Sequence, residues 1–320
     1  MQTYLKFISY LFLAISIAGC KPQDKGKENT EDTKKNTVSM PKNFENVMPP
    51  AMMTDPHDRA AFLVTHFWDK FDFRDTTYCY VPKNSKAPSV AEQAFVNFLS
   101  IFPHTTKEKF FAGVKKMLDS AEVDVVMYNY FLIKAEHYLY DPNSQIRNDE
   151  FYIPFLEHVV SSSKIPEANK VRPKYQLALT YKNRIGEKAS NFTYTLNSGN
   201  TGTLYGISSQ YTLLMFYNPD CRECKQTQAE IKNSAAISAA VSAGKLKVLA
   251  VYPDENIEIW KMHTNDIPTS WINGYDKSQS VKTQEIYDLK AIPTLYLLDK
   301  DKKVILKDTS VGDIHEYLEK

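Results

Sequence analysis

The chain has 320 residues, which is long enough for two domains of ordinary size. Its 39 basic and 38 acidic side chains give a formal net charge of +1, and no basic block is interleaved with aromatic residues. Charge and composition therefore argue against a nucleic-acid-binding protein. The aromatic fraction of 12% supplies enough large apolar side chains for packed cores.

The first 20 residues have the pattern of an exported lipoprotein. Lys6 supplies a positive charge, and residues 7–18 form an apolar segment that is shorter than the ~20 residues needed to span a bilayer. Residues 17–20, IAGC, resemble the bacterial lipobox, in which a peptidase cuts before a cysteine that receives lipid. We predict a signal peptide over residues 1–19 and lipidation of Cys20, including palmitate. The alternative is an ordinary secretory signal followed by a coincidental cysteine.

Residues 20–54 are predicted to be the lipidated cysteine and a disordered, flexible tether. Residues 21–36 are mainly Lys, Asp, Glu, Asn and Thr and contain no aromatic side chain, so they have little to bury. The lipid would anchor the protein to a membrane in the envelope of a Gram-negative bacterium. Lys21 follows the cysteine, where Asp would retain a lipoprotein at the inner membrane, so we expect the outer membrane, facing the periplasm.

Residues 55–187 show helical periodicity, and we predict an all-α domain there. Apolar positions spaced three and four residues apart indicate a helix over residues 60–67, and capping-box patterns at residues 89–92 and 105–108 open two more. Val126 and Ile133 are among the apolar residues of a long predicted helix. That helix and two further ones are predicted over residues 123–140, 151–161 and 174–184.

The helical region contains no arrangement that suggests catalysis. Its histidines share no spacing with one another or with carboxylates, and we expect ordinary surface or core roles for them: His57, His66, His104, His137 and His158. Cys79 stands alone between two tyrosines. We expect it to be a buried, inert thiol rather than a third redox participant.

The stretch YTLLMFYNPDCREC, residues 211–224, is the most informative part of the chain. Residues 212–217 predict a strand that is buried on both faces, and the Asn-Pro-Asp sequence after it ends the strand. Cys221 and Cys224 then stand at the start of a predicted helix. A helix N-terminus carries partial positive charge, which favours a thiolate on Cys221, while Cys224 lies one turn deeper.

A lone Cys-x-x-Cys pair leaves three roles open. Half of a zinc site would need two more ligands, but Cys20 and Cys79 are isolated and no histidine pair has ligand spacing. A purely structural disulfide is the second role. A redox pair is favoured because residues 291–298, AIPTLYLL, add a proline followed by another apolar strand. We expect neither a metal nor a cofactor.

The motifs FYNPDCREC and IPTLYLLDKDKKVI resemble the thioredoxin-like superfamily, and more closely its TlpA-like branch of envelope thiol-disulfide oxidoreductases. The resemblance covers roughly residues 186–320. It implies an α/β thioredoxin-like fold over residues 188–320, with a cis Pro293 lying against the cysteines. Cys221 would be the catalytic nucleophile and Cys224 the resolving thiol, while Pro293 and Ile292 would bind the substrate. The helical region resembles a domain of unknown function found ahead of thioredoxin modules in bacterial lipoproteins.

The remaining elements of the C-terminal domain follow from local patterns. Alternating residues predict an edge strand, and apolar runs predict a parallel strand and a hairpin. These strands are expected over residues 191–196, 246–252, 295–298 and 304–306. Helices are expected over residues 225–243, 257–263, 283–289 and 313–320.

Three departures from the thioredoxin pattern bear on the chemistry. Met215 occupies the position of the buried aspartate that moves the proton of the resolving thiol, so water or another carboxylate must substitute. Asp220 replaces the usual tryptophan before the first cysteine and opposes a thiolate there, whereas Arg222 and the helix dipole favour one. Proline is absent between the cysteines, so the strongly reducing potential of thioredoxin should not be assumed.

The predicted function is a membrane-anchored envelope thiol-disulfide oxidoreductase, with disulfide reduction as the expected direction. Its partners would be protein or small-thiol disulfide substrates and an upstream electron donor, and no nucleic acid. The alternative is a surface-anchored interaction lipoprotein with a structural or vestigial disulfide. Peroxide reduction is disfavoured, because the Thr-x-x-Cys pattern of peroxiredoxins is missing around Cys221.

We predict that the mature protein begins at an acylated Cys20. Mass spectrometry of the membrane-extracted protein should show loss of residues 1–19 and the added mass of the lipid. The Cys20→Ser variant, which lacks the acceptor thiol, should remain unlipidated. A soluble protein that retains its signal, or that is cut elsewhere, would contradict this prediction.

Overall fold

A computed structural model describes residues 44–45, 47–81 and 83–320 of the chain. Cys20, the predicted signal and most of the predicted tether lie outside these residues. Within the described part of the chain, no helix combines the length and the apolar character that crossing a bilayer requires.

The N-terminal part is all-helical, as predicted. The six α-helices begin after side-chain caps at five of their six N-termini, from Asp55, Ser89, Thr106, Asp124 and Asn148. They are α1 (Pro56–His66), α2 (Val90–Leu99), α3 (Lys107–Ala121), α4 (Val125–Leu139), α5 (Asp149–Ser161) and α6 (Glu167–Thr180). Short 3₁₀ helices lie at Thr76–Cys79 and Phe102–His104.

An aromatic core holds these helices together. Trp68, Phe98 and Phe131 are buried in it, and the Trp68 ring meets both phenylalanine rings edge-on. Phe44 packs against the same cluster, with its ring centroid 5.4 Å from that of Phe71. The packed region therefore begins before residue 55, where the sequence predicted its start.

The side chains of Val126 and Ile133 are exposed, because α4 buries the opposite stripe, on which Met127 and Phe131 lie. Two predictions about the helical part were wrong in detail. Helix α6 begins at Glu167, seven residues before the predicted start at residue 174, and it continues through Pro173. The N-cap of α3 is Thr106 rather than the residue before it.

The C-terminal part is built on a mixed seven-stranded sheet with the order β2-β1-β5-β4-β3-β6-β7. Its strands are β1 (Thr193–Leu196), β2 (Thr201–Thr203), β3 (Tyr211–Phe216), β4 (Leu246–Tyr252), β5 (Ile272–Tyr275), β6 (Thr294–Leu298) and β7 (Val304–Lys307). Its helices are α7 (Arg222–Asn233), α8 (Ala235–Ser242), α9 (Ile257–Met262), α10 (Ser280–Thr283) and α11 (Val311–Glu319), with 3₁₀ turns at Leu204–Gly206 and Thr264–Asp266.

Strand β3 lies at the centre of the sheet and is buried on both faces, as its apolar sequence predicted. It runs parallel to β4 and antiparallel to β6. Leu213 and Met215 face one apolar core, and Leu214 and Phe216 face the other. This arrangement confirms the α/β thioredoxin-like fold, and it sends the chain from β3 directly to the two cysteines.

Three local predictions in this part were also wrong. The predicted helix over residues 225–243 is two helices, because Ser234 adopts an extended conformation and caps α8 with its hydroxyl. Residues 284–289 are not helical. Glu285 has a left-handed backbone conformation with a φ of 49°, and its carbonyl accepts a hydrogen bond from the Lys182 side chain of the helical part. Strand β1 is not an edge strand, because β2 pairs with its outer side and β5 with its inner side.

The chain between the two parts is bonded to the sheet. Residues 185–189 form bridges and backbone hydrogen bonds with residues 302–304, at the start of β7. Asn183 is buried; its side chain donates to the Ile286 carbonyl at 2.7 Å and accepts from the Ser190 N–H at 2.7 Å. The connection is thus a paired segment rather than an exposed linker.

A buried ionic cluster joins the first turn of α5 to the sheet. Asp149 lies 2.8 Å from the ammonium groups of both Lys290 and Lys307, and all three side chains are at most 8% exposed. Asp288 approaches Lys290 at 2.9 Å, and Lys307 also donates to the Thr180 carbonyl at 3.0 Å. Burial alone would raise the pKa of Asp149, but Lys307 and Lys290 outweigh it and lower the pKa below its ordinary value.

We predict that Asp149→Ala lowers the free energy of unfolding at neutral pH by about 3–5 kcal/mol, because it leaves two buried lysines without their shared counter-ion. The folded-state pKa of Asp149 lies below its ordinary value of 3.8. The carboxylate therefore stabilises the fold above that pH, and its contribution disappears as the pH falls through the folded pKa.

Urea unfolding followed by circular dichroism, at pH 7 and again below pH 3.8, would measure both effects. Glu258→Gln is the matched control, because it removes an exposed ion pair to Lys261 and should have little effect. A loss below about 1 kcal/mol for Asp149→Ala would show that the cluster is not needed for stability.

Candidate redox site

Cys221 is the N-cap residue of α7. Its backbone is extended (φ −80°, ψ 124°), and its sulfur accepts a hydrogen bond from the Cys224 N–H at 3.3 Å. The sequence after β3 explains why Cys221 lies at the helix start. β3 ends at Phe216, the Asn-Pro-Asp turn follows, and α7 begins directly after Cys221. The unpaired N–H groups of that helix end stabilise negative charge on the sulfur.

Cys224 lies one turn inside the helix and is fully buried. Burial raises the pKa of its thiol well above the ordinary value, and the neighbouring Cys221 raises it further. The backbone N–H of Asn218 contacts its sulfur at 3.5 Å and partly offsets the increase. The described cysteines, Cys79, Cys221 and Cys224, are all free thiols.

The segment before β6 completes the site. The Ile292–Pro293 peptide bond is cis, as the resemblance implied, and the Ile292 carbonyl lies 3.5 Å from the Cys221 sulfur. The structure thus brings together the four residues that the sequence singled out in the C-terminal domain. Their roles in catalysis and substrate binding remain predictions.

Met215 is completely buried in the same apolar core as Cys224. A chain of polar contacts begins at Asn218 and was not predicted from the sequence. The Asn218 side chain donates to the Asp254 carboxylate at 2.9 Å, and Asp254 is paired with Lys282 at 2.7 Å. Asp254 lies two residues after Tyr252, the last residue of β4, and a carboxylate just beyond the end of a central strand was the signal available in the sequence.

Exposed acidic side chains flank Cys221 in the sequence, and one of them contacts its sulfur. Glu223 places a carboxylate oxygen 3.7 Å from it, and Asp220 lies 3.8 Å from His263. Both acids oppose a negative charge on Cys221, whereas the helix N-terminus favours one. The described residues include no group of three or more histidine, cysteine or acidic side chains that could hold a metal ion.

Cys79 is separate from this site and packs against the helical core, where it is partly buried rather than fully buried as predicted. Its sulfur lies 3.7 Å from that of Met127. Burial, with a smaller contribution from Asp124, raises the pKa of the Cys79 thiol to about 11. A thiol with that pKa is almost entirely protonated at neutral pH, which fits the inert role expected for it.

Comparisons with known proteins agree with the folds of the N-terminal and C-terminal parts. The family model described as a domain of unknown function (DUF5106) matches residues 19–183, and the model described as thioredoxin-like matches residues 209–304. A crystal structure of a thioredoxin-like protein from Bacteroides caccae ATCC 43185 is 45% identical, with a TM-score of 0.81. It covers 87% of this chain, which in turn covers 98% of it.

The chain belongs to the thioredoxin-like proteins with an N-terminal DUF5106 domain.

Two shorter solved structures are also similar to this thioredoxin-like protein. The C-terminal domain of an uncharacterized Bacteroides fragilis NCTC 9343 protein is 51% identical over 43% of this chain and 99% of its own, with a TM-score of 0.43. A domain of a possible thiol-disulfide isomerase from Cytophaga hutchinsonii ATCC 33406 is 25% identical over 43% of this chain and 92% of its own, with a TM-score of 0.36. No curated protein matches the chain.

We predict that iodoacetamide modifies Cys221 of the native, reduced protein well before Cys224 and Cys79. Cys221 is partly exposed at the helix start, while burial raises the pKa of the other two thiols. Mass spectrometry of digested samples, taken at intervals at pH 7, would give the order. Denatured protein is the control, in which all three should react at similar rates. Earlier modification of Cys224 would refute the assignment of Cys221 as the accessible thiol.

Proposed function

We propose that this protein is an envelope thiol-disulfide oxidoreductase that acts through Cys221 and Cys224 and is anchored to a membrane by a lipid on Cys20. The observation that carries the proposal is the asymmetry of the two sulfurs. Cys221 is partly exposed, and its sulfur accepts a hydrogen bond from a backbone N–H at the start of α7. Cys224, one turn further along the helix, is fully buried. One sulfur is thus suited to attack a substrate, and the other to attack only the first sulfur.

In the reducing direction, the Cys221 thiolate attacks one sulfur of a substrate disulfide. A mixed disulfide forms, and the other substrate sulfur leaves as a thiolate, which takes up a proton. Cys224 then loses its proton and attacks the Cys221 sulfur, which releases the second substrate thiol. The protein gains a Cys221–Cys224 disulfide, and the two electrons that it loses reduce the substrate. An external thiol donor restores the dithiol.

Cys224 must lose its proton for the second step, and burial raises the pKa that opposes this loss. Met215 cannot accept the proton. Asp254 is the carboxylate that we assign to this task, with water carrying the proton to it. Asn218 places it near the thiol, because its backbone N–H donates to the Cys224 sulfur and its side-chain amide donates to the Asp254 carboxylate. The Ile292 carbonyl lies 3.5 Å from the Cys221 sulfur, and the cis bond to Pro293 follows it directly. We propose that Ile292 and Pro293 bind the substrate chain alongside the sulfur.

Lipid anchoring would confine this chemistry to a membrane surface. More than one acyl chain on Cys20 would hold the protein firmly, at ~0.8 kcal/mol for each buried CH₂ group. The sequence IAGCK places Lys rather than Asp after the acceptor cysteine, which favours the outer membrane, facing the periplasm. Substrates would then be protein disulfides or small disulfides of that compartment.

The alternative function is that of an interaction lipoprotein whose cysteines form a structural or vestigial disulfide. The reduction potential distinguishes the two. A redox-active pair should titrate against glutathione or dithiothreitol with a potential between roughly −120 and −270 mV, whereas an inert structural disulfide should lie below about −300 mV. A value in the lower range would favour the interaction protein.

We predict that Cys221→Ser abolishes thiol-disulfide exchange and that Cys224→Ser traps mixed disulfides with natural partners. Without Cys224, the covalent intermediate has no internal thiol that can release it. Non-reducing electrophoresis of envelope extracts should show adducts of Cys224→Ser that dithiothreitol removes. Cys79→Ser is the matched control and should behave like the wild type. The absence of adducts with Cys224→Ser, or their persistence in the Cys221→Ser/Cys224→Ser double variant, would contradict the mechanism.

A further inference from the structure

Lys290 connects the helical domain to the segment beside the nucleophile. It lies two residues before Ile292, whose carbonyl is 3.5 Å from the Cys221 sulfur. Its own ammonium group is not in the site. It is buried under the helical domain, 2.8 Å from Asp149 and 4.6 Å from the centre of the Tyr140 ring. Each residue spans at most about 3.3–3.6 Å of backbone. The short segment from Lys290 to Ile292 therefore cannot absorb a shift at one of these contacts without moving the other.

The groups around Lys290 come from both domains. Asp149 is the first residue of α5, and Tyr140 directly follows α4, so two helix ends meet at this lysine. Asp288 contributes a second carboxylate at 2.9 Å from within the same segment. Asp149 also reaches Lys307 of β7 at 2.8 Å, which fixes its carboxylate against the sheet. Among the described residues, Asp149 is the one that links the segment before Pro293 both to the sheet and to the helical domain through ion pairs.

Removal of the Asp149 charge would leave Asp288 as the one ion-pair partner of Lys290 among the described residues, with Asp308 as a further acidic neighbour. The second buried cation, Lys307, would lose the Asp149 charge as well. A buried ammonium group in that setting is destabilised, and rotation of its long side chain toward solvent would relieve it. Residues 291–293 would move with it, because they follow directly along the chain. Displacement of a positioning group by about 1 Å can lower a reaction rate by about 100-fold.

We propose that Asp149 is a positioning residue of the redox site, which fixes residues 291–293 beside Cys221 through its ion pair with Lys290. The helical domain thereby determines how well a disulfide substrate chain is held for attack. This inference rests on the function proposed above. It assigns a role in catalysis to a domain that lies outside the thioredoxin-like fold.

The test uses the full-length protein, with insulin as the disulfide probe and dithiothreitol as the reductant. Asp149→Asn keeps the shape of the side chain and removes its charge. We expect kcat/KM for insulin to fall by about tenfold or more. The rate at which iodoacetamide modifies Cys221 should change by less than about threefold, because this small reagent does not need the substrate-binding segment.

Glu150→Gln is the matched control, since the adjacent Glu150 pairs with Arg184 within the helical side and not with Lys290. Both of its rates should stay close to those of the wild type. The single variant Lys290→Gln and the double variant Asp149→Asn/Lys290→Gln provide a second test of the same proposal. The double variant removes one charge of each sign, so it should fold even if Asp149→Asn does not. Its kcat/KM should be no lower than that of Lys290→Gln, because Asp149 acts through Lys290.

Three outcomes would overturn the inference. One is a folded Asp149→Asn or double variant with the kcat/KM of the wild type. The second is an equal loss in Glu150→Gln, which would indicate general destabilisation. The third is a parallel fall in Cys221 alkylation, which would indicate damage to the nucleophile itself. Failure of the wild type to reduce insulin beyond the rate of dithiothreitol alone would instead overturn the proposed function, and the inference with it.

Discussion

One carboxylate, that of Asp149, neutralises two buried lysines where the helical domain meets the sheet. The aromatic core of the helices and the two cores of the sheet are separate clusters. Much of the adhesion between the domains is therefore polar and geometrically specific. Buried ion pairs add little net stability compared with apolar packing, but they tolerate few alternative arrangements. This boundary favours one orientation of the two domains.

The redox site is built mainly from backbone groups. A backbone N–H contacts each sulfur, and a carbonyl of the segment before β6 contacts the Cys221 sulfur. Such groups are set by the path of the chain and not by side-chain rotamers, so the geometry depends on how β3, α7 and β6 are held together. The side chains nearby, Glu223 and Asp220, adjust charge rather than position. The site therefore depends on the sheet for its shape and on its exposed rim for its electrostatics.

The sequence was informative where the determinants are local. Strand β3, its break and the helix start at Cys221 follow one another within a few residues, and each has a clear pattern. The sequence did not show which side of α4 is buried, because the exposed Val126 and Ile133 make the opposite side apolar as well. The break at Ser234 depends on one cap within a continuous run of helix-forming residues. The ion pair between Asp149 and Lys290 joins residues that are 141 positions apart, and no local sequence pattern predicts it.

The connection between the domains has a consequence for association between copies of the chain. A sheet with open outer strands can pair with the sheet of another molecule through unpaired N–H and C=O groups. Residues 185–189 cover part of the outer side of β7, and β2, at the opposite edge, is only three residues long. The segment that joins the domains thus also shields one border of the sheet. This shielding and the short β2 strand leave little open edge through which copies of the chain could pair.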